Sequence, residues 1–193
     1  DSPYEPWSKY ITGRRGKKPL YDPLPWLIDE THKRGMQFHA WMNPYRIATR
    51  SGASASFPTL ESTIPAEWVK DYNKVRIYNP ALPEVRQRIA DIVADLLQKF
   101  DVDGIHFDDY FYPSLTSGES MNDNAEYQKY GSGQGIANFR RANVDAMINK
   151  VRETIHAVRP NCLFSVSPQG NYDNDYNSMY CDVKKWSQNG MID

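Results

Sequence analysis

Two adjacent aspartates, Asp108 and Asp109, interrupt the segment "VDGIHFDDYFYP" at residues 102–113, and they are the side chains best suited to acid, base or nucleophile chemistry. A strand interior favours apolar and β-branched residues and is poor in aspartate, so the carboxylates mark the strand's end. Alternation along a strand puts His106 and Asp108 on one face and Phe107 and Asp109 on the other. If Ile105 and Phe107 pack against helices, Asp108 looks into an open mouth as nucleophile or base. Asp109 reaches that mouth only where the strand has turned, which makes it the weaker, acid candidate. A loop or helix cap is the structural alternative for both.

Two other strand ends offer hydrogen-bonding groups. "NPYR" at 43–46 supplies Asn43, Tyr45 and Arg46, and "SPQGN" at 167–171 supplies Gln169 and Asn171. With His39 and His106 these groups suit a hydroxyl-rich ligand. Trp7, Trp41, Tyr45, Tyr110, Phe111 and Tyr112 would add flat apolar faces for sugar rings, or else line the core. Singly, each residue has a plainer role: Arg46 can pair with a surface carboxylate, and Asn43 before Pro44 can make a turn. Convergence at one sheet edge is what argues for a site. His39, His106 and Asp108 also raise a metal reading, but no HxH, HExxH or CxxC spacing supports it, and no phosphate-binding glycine loop occurs. No metal and no cofactor are expected.

Composition narrows the partners. The 193 residues carry 23 basic and 24 acidic side chains for a net charge of -1, and 40% are hydrophobic. This is enough for one core and one domain over 1–193. Near-neutral charge gives no sign of nucleic acid or of an anionic membrane as a partner, and no run approaches the roughly 18–20 apolar residues of a membrane span. Cys162 and Cys181 are too few for a disulfide framework. The oligomeric state is not legible.

The elements that must position these residues alternate. "YDPLPWLIDETHKRG" reads as a helix capped by Asp22, started by Pro23 and stopped by Gly35, with Leu24, Leu27 and Ile28 on one face. "MQFHAWMNPYR" alternates as a strand until Pro44. Residues 44–80 read as a long connection that shapes a site. A helix from Pro83 to Phe100 leads into the strand Val102–Asp108. A second long connection (114–135) precedes the helix "IANFRRANVDAMINKVRETIHAV" and the strand "CLFSVSPQG". A weak helix near 182–188 and "GMID" suggest a fourth strand. Helix-to-strand joints are tight and strand-to-helix connections long, the signature of a parallel α/β layout whose function sits at the strands' C-terminal edge. One polar face per strand favours the inside of a barrel over a doubly wound sheet. The expected fold is a (β/α)8 TIM-barrel type, present as a partial or abbreviated barrel of about four β/α units.

"HAWMNPYR" and "DGIHFDDYFYP", with "SVSPQGN", make the chain resemble the glycosyl hydrolase-like 10 family of bacterial (β/α)8-barrel proteins, over nearly its whole length. The resemblance implies a glycoside hydrolase, exported or associated with the cell envelope, acting on a bacterial-wall, dietary or host polysaccharide. "DGIHFD" is also similar to the fourth-strand motif of α-amylase-type barrels, which implies a nucleophile role for Asp108. The chitinase strand motif is similar too, but Tyr110 stands where that motif has its glutamate. The rival expectations are a carbohydrate-binding barrel without catalysis and a metal-dependent hydrolase.

Overall fold

A computed structural model describes residues 2–131 and 133–193. The chain runs α1 (Lys9–Thr12), α2 (Pro23–His32), β1 (His39–Met42), β2 (Arg46–Thr49), β3 (Val69–Asp71), β4 (Val75–Tyr78), α3 (Pro83–Lys99), β5 (Gly104–Phe107), α4 (Asn124–Tyr130), α5 (Ile136–Val158), β6 (Leu163–Val166), α6 (Tyr172–Asn177) and α7 (Val183–Gln188).

Helix boundaries follow local chemistry. Asp22 accepts the Leu24 N–H (3.0 Å) to open α2, Pro23 fills the first helical position, and Gly35 turns the chain at φ +70°. Only Ile28 of α2 is buried; Leu24 packs partly against the core and Leu27 is exposed, so the inward stripe is narrower than expected. Helix α3 buries Val85, Ile89, Val93 and Leu97, one face at a spacing of four. Helix α5 buries Val144, Met147, Ile148, Val151 and Ile155 and packs on α3. Each fully buried aliphatic side chain stabilises the fold by about 1.5–3 kcal/mol, which makes this pair the centre of the core.

Strands β1, β5 and β6 form a parallel sheet in that order, with Ala40, Ile105 and Phe164 in one row and Trp41, His106 and Ser165 in the next. Ile105, Phe107 and Phe164 join the core cluster with α3 and α5, and Phe107 meets Phe164 edge to face at 5.1 Å. The opposite face carries Trp41, His106 and Ser165. A fourth strand at "GMID" does not form among the described residues. Instead the Asp193 N–H donates to the Phe164 carbonyl and the Phe164 N–H to Asp193 Oδ2, both at 2.8 Å. The chain thus aligns with β6 for one residue without a ladder.

At the opposite, N-terminal edge the joints are fastened. Asp103 Oδ2 accepts the Phe38 N–H (2.7 Å) and contacts His32 Nε2 (2.8 Å), joining β1 to β5. Arg159 donates to Asp101 and to the carbonyls of Val102 and Leu97.

Residues 44–80, expected as a connection, contain a second sheet: β2, β4 and β3, antiparallel and in that order. Its strands have three or four residues, and a register shift breaks the β2–β4 pairing between Arg46 and Ala48. "VKDYNKVRIY" is a hairpin without an Asn-Gly or Asp-Gly turn, closed by Tyr72 N–H to the Val75 carbonyl (2.9 Å). The connection 114–135 likewise holds α4. No helix is long and apolar enough to cross a membrane among the described residues.

Candidate active site

Pro44 ends β1, and the chain folds back at once. Asn43 Oδ1 accepts the Arg46 N–H (2.9 Å), while its Nδ2 donates to both carboxylate oxygens of Asp108 at 3.0 Å each. Met42 is in register with Phe107, so Asn43 and Asp108 are the next pair beyond the ladder. Asp108 is 6% exposed. Its Oδ1 also lies 3.4 Å from the Tyr110 N–H, and Arg46 Nη2 stands 4.0 Å from Oδ2. Arg46 stacks over the Tyr110 ring at 4.6 Å, and Tyr110 is half exposed. An amide, a guanidinium and a backbone N–H therefore converge on one buried carboxylate at the C-terminal edge of the parallel sheet. This is the edge where barrel enzymes carry their chemistry.

The other residues singled out in the sequence are dispersed around this centre. His106 Nδ1 is 2.8 Å from Ser165 Oγ, and its ring meets the edge of Trp41 at 6.2 Å; Trp41 is 72% exposed. His39 pairs with Gly104, four residues before Asp108, about 13 Å along the strand at roughly 3.3 Å per residue. It sits at the foot of β1, bonded to Gln37 Oε1 (3.2 Å), rather than at the mouth. Among the described residues no three His, Cys, Asp or Glu side chains group as metal ligands. Gln169 is exposed; its N–H donates to Asp175 Oδ1 (3.3 Å) and its Oε1 accepts from Asn174, so it turns toward α6. Asn171 caps α6 by accepting the Asn174 N–H (3.2 Å). Trp7 is half-buried, with a covered indole N–H that has no partner among the described residues.

Three aromatics expected as stacking platforms lie in the core. Tyr45 is fully buried with its ring edge on Phe111, Phe111 packs edge-on against Trp186, and Tyr112 is buried against Tyr180 while its hydroxyl accepts from Asn143. As placed, Tyr45 is closed off, whereas Phe111 and Tyr112 contribute to the wall of a 330 Å³ cavity between the second sheet and the segment after Asp108. The reason is that the segment after Asp108 leaves the strand and packs beside the second sheet. Burial pushes the Tyr45 and Tyr112 phenols well above their usual range.

Asp109 is half-buried, and its charge reaches Asp175 and Cys181. Asp175 is 1% exposed. Burial is the main cause that raises its carboxyl above the usual range; the Gln169 N–H opposes this and the Asp109 charge adds to it. Sequence reading missed Asp175, and also Glu5. Glu5 lines a 260 Å³ cavity together with Arg15, Asn43 and Arg46. It accepts from the Tyr78 hydroxyl (3.2 Å) and lies 3.5 Å from Arg88. Neither carboxyl belongs to a strand motif, so no spacing could have singled it out.

The glycosyl hydrolase-like 10 profile matches residues 1–193. The chain is 37% identical to glycosyl hydrolase YngK of Bacillus subtilis over 213 residues, covering 100% of this chain and 41% of that protein. It is 37% identical to glycosyl hydrolase DigH of Escherichia coli K12 over 212 residues, covering 97% of this chain and 48% of that protein. The chain thus spans less than half the length of these relatives. Among solved structures, α-L-fucosidase isoenzyme 2 from Paenibacillus thiaminolyticus superposes with a TM-score of 0.50 at 15% identity, covering 91% of this chain and 27% of that one. That likeness is one of fold.

Proposed function

The chain belongs to the glycosyl hydrolase-like 10 family, and from that premise we propose that Asp108 is the catalytic carboxylate of a glycoside hydrolase built on a (β/α)8 barrel, of which these residues form about four β/α units. The observation that carries the reading is the grip of Asn43 on both Asp108 oxygens at the sheet's C-terminal edge. A carboxylate fixed by one amide and flanked by Arg46 is held in a single orientation, as a nucleophile or base must be. Its negative charge faces the oxocarbenium-like carbon that develops at the transition state.

Hydrolysis needs a second carboxyl group, about 5–5.5 Å away for retention and about 6.5–9.5 Å for inversion. Asp109 is the partner adjacent in sequence, and Glu5 is its competitor because it shares a cavity with Asn43 and Arg46. Asp109→Asn and Glu5→Gln separate them: the acid's loss lowers turnover by about 10²–10⁴-fold, whereas the other substitution leaves turnover near parental. The substrate in this reading is an external polysaccharide, and the protein acts in the envelope or outside a bacterial cell.

A binding barrel without catalysis is the second reading, favoured by the small exposure of Asp108. A reducing-end assay of the full-length protein against a polysaccharide panel decides between them. New reducing ends from at least one glycan support hydrolysis. Glycan binding with no new ends on any of them overturns it.

A further inference from the structure

Beside the Asp108 centre, the second sheet and the segment after Asp108 enclose a 330 Å³ cavity that the catalytic reading does not use. This is near the lower end of ligand pockets, about 300–1,000 Å³, a size for one sugar ring rather than a chain. Its apolar lining is Val75 and Ile77 of β4 with Tyr110, Phe111, Tyr112 and Pro113 of the segment after Asp108. Its charged lining is of one sign: Arg46, Arg50 and Lys74, with no aspartate or glutamate among the described lining residues.

Local partners neutralise these cations only in part, since Arg46 already faces the Asp108 carboxylate at 4.0 Å. Arg50 donates to three backbone carbonyls, those of Asn73 (2.9 Å), Ala55 (2.9 Å) and Tyr72 (3.3 Å), which fix its guanidinium without cancelling its charge. Its charge also reaches the Glu119 carboxylate, which is bonded to the Asn73 N–H and to Thr116. Lys74 is exposed on the hairpin between β3 and β4. Arg46 is 4.0 Å from Asp108, so it lies between the carboxylate and the cavity. Three cations around one apolar cavity favour entry of a further anion, and a guanidinium fork matches a carboxylate's two oxygens.

We propose that this cavity is a subsite for an acidic sugar: one glycan ring rests against the apolar lining, with its carboxylate held between Arg46 and Lys74. The proposal rests on the glycoside hydrolase reading of Asp108 and names its substrate class, a glycan bearing carboxylates. Bulk charge does not attract this ligand, since the whole chain is near neutral; three local cations recognise it.

The test is calorimetric binding of the full-length protein to a panel of oligouronides, each paired with its neutral methyl ester, and to sugar phosphates. Lys74 is exposed, so Lys74→Ala and Lys74→Arg keep the fold. The acid form should bind at least about tenfold tighter than its ester at low salt. Lys74→Ala and added salt should each close that gap, while Lys74→Arg keeps it. Equal affinity for acid and ester, or a gap that survives Lys74→Ala, overturns the subsite and leaves the Asp108 reading standing. Stronger binding of a sugar phosphate than of any uronide overturns the carboxylate assignment. Failure of every pair to bind overturns the subsite, while the glycan reading stands or falls by the reducing-end assay.

Discussion

Asn43 is the residue on which the Asp108 geometry turns. Its amide satisfies both oxygens of a carboxylate that is nearly closed to water. Asn43→Ala therefore leaves a buried charge short of donors, at a cost of about 1–3 kcal/mol readable in urea unfolding, and frees Asp108 to rotate, so turnover falls together with stability. An unchanged urea midpoint would show that Asn43 holds nothing. Tyr45 makes the opposite case. Its hydroxyl is buried with no partner among the described residues, so Tyr45→Phe should hold or raise stability by about 1 kcal/mol and keep activity. Lost activity in a stable Tyr45→Phe would return that hydroxyl to the substrate. These two neighbours mark how far the site was legible. Asn43, Asp108 and Arg46 could be read from strand ends, because parallel strands bring their C-termini to one edge. The burial of Tyr45, Phe111 and Tyr112 could not, because nothing in their own spacing announced the sheet that covers them.

Elements with strong local signals emerged as expected. Helix α2 had its cap and stop, α3 and α5 had long apolar stripes, and β1 and β5 had alternation. The second sheet and α4 and α6 were missed for one shared reason: their strands of three or four residues and helices of six or seven are too short to show a periodic apolar pattern. Within the parallel sheet the fit is close at one point. A Cβ on Gly104 would come within 2.5 Å of the His39 ring, so β1 and β5 pair with a histidine lying over a glycine. Gly104→Ala should cost about 1–3 kcal/mol. His39→Ala in the same chain should recover most of that loss, since the obstacle is a side chain exposed enough to be removed. A double variant as unstable as Gly104→Ala alone would place the constraint in the backbone instead.

For the molecule as a whole, the parallel sheet covers one face with α3 and α5 and presents Trp41, 72% exposed, on the other. Relatives more than twice as long as this chain fit the proposal that further strands complete a barrel over that face. A glycan would then meet three features along one rim: the Asp108 centre, the Glu5 cavity and the cationic cavity. The sequence announced the rim through "NPYR" and "FDD" but not its electrostatics, because Arg50 and Lys74 come together only through the pairing of β2 with β4. The most direct test of the account is Asp108→Asn in the full-length protein, with turnover, glycan affinity and melting temperature measured side by side. A catalytic carboxylate acts mainly on charge that develops in the transition state. The account therefore predicts turnover of the folded protein lower by at least about a hundredfold, with affinity nearly unchanged and the melting temperature lowered by the loss of one of the two Asn43 hydrogen bonds. Turnover at the parental rate, or a loss that only follows the fraction of folded protein, would contradict it.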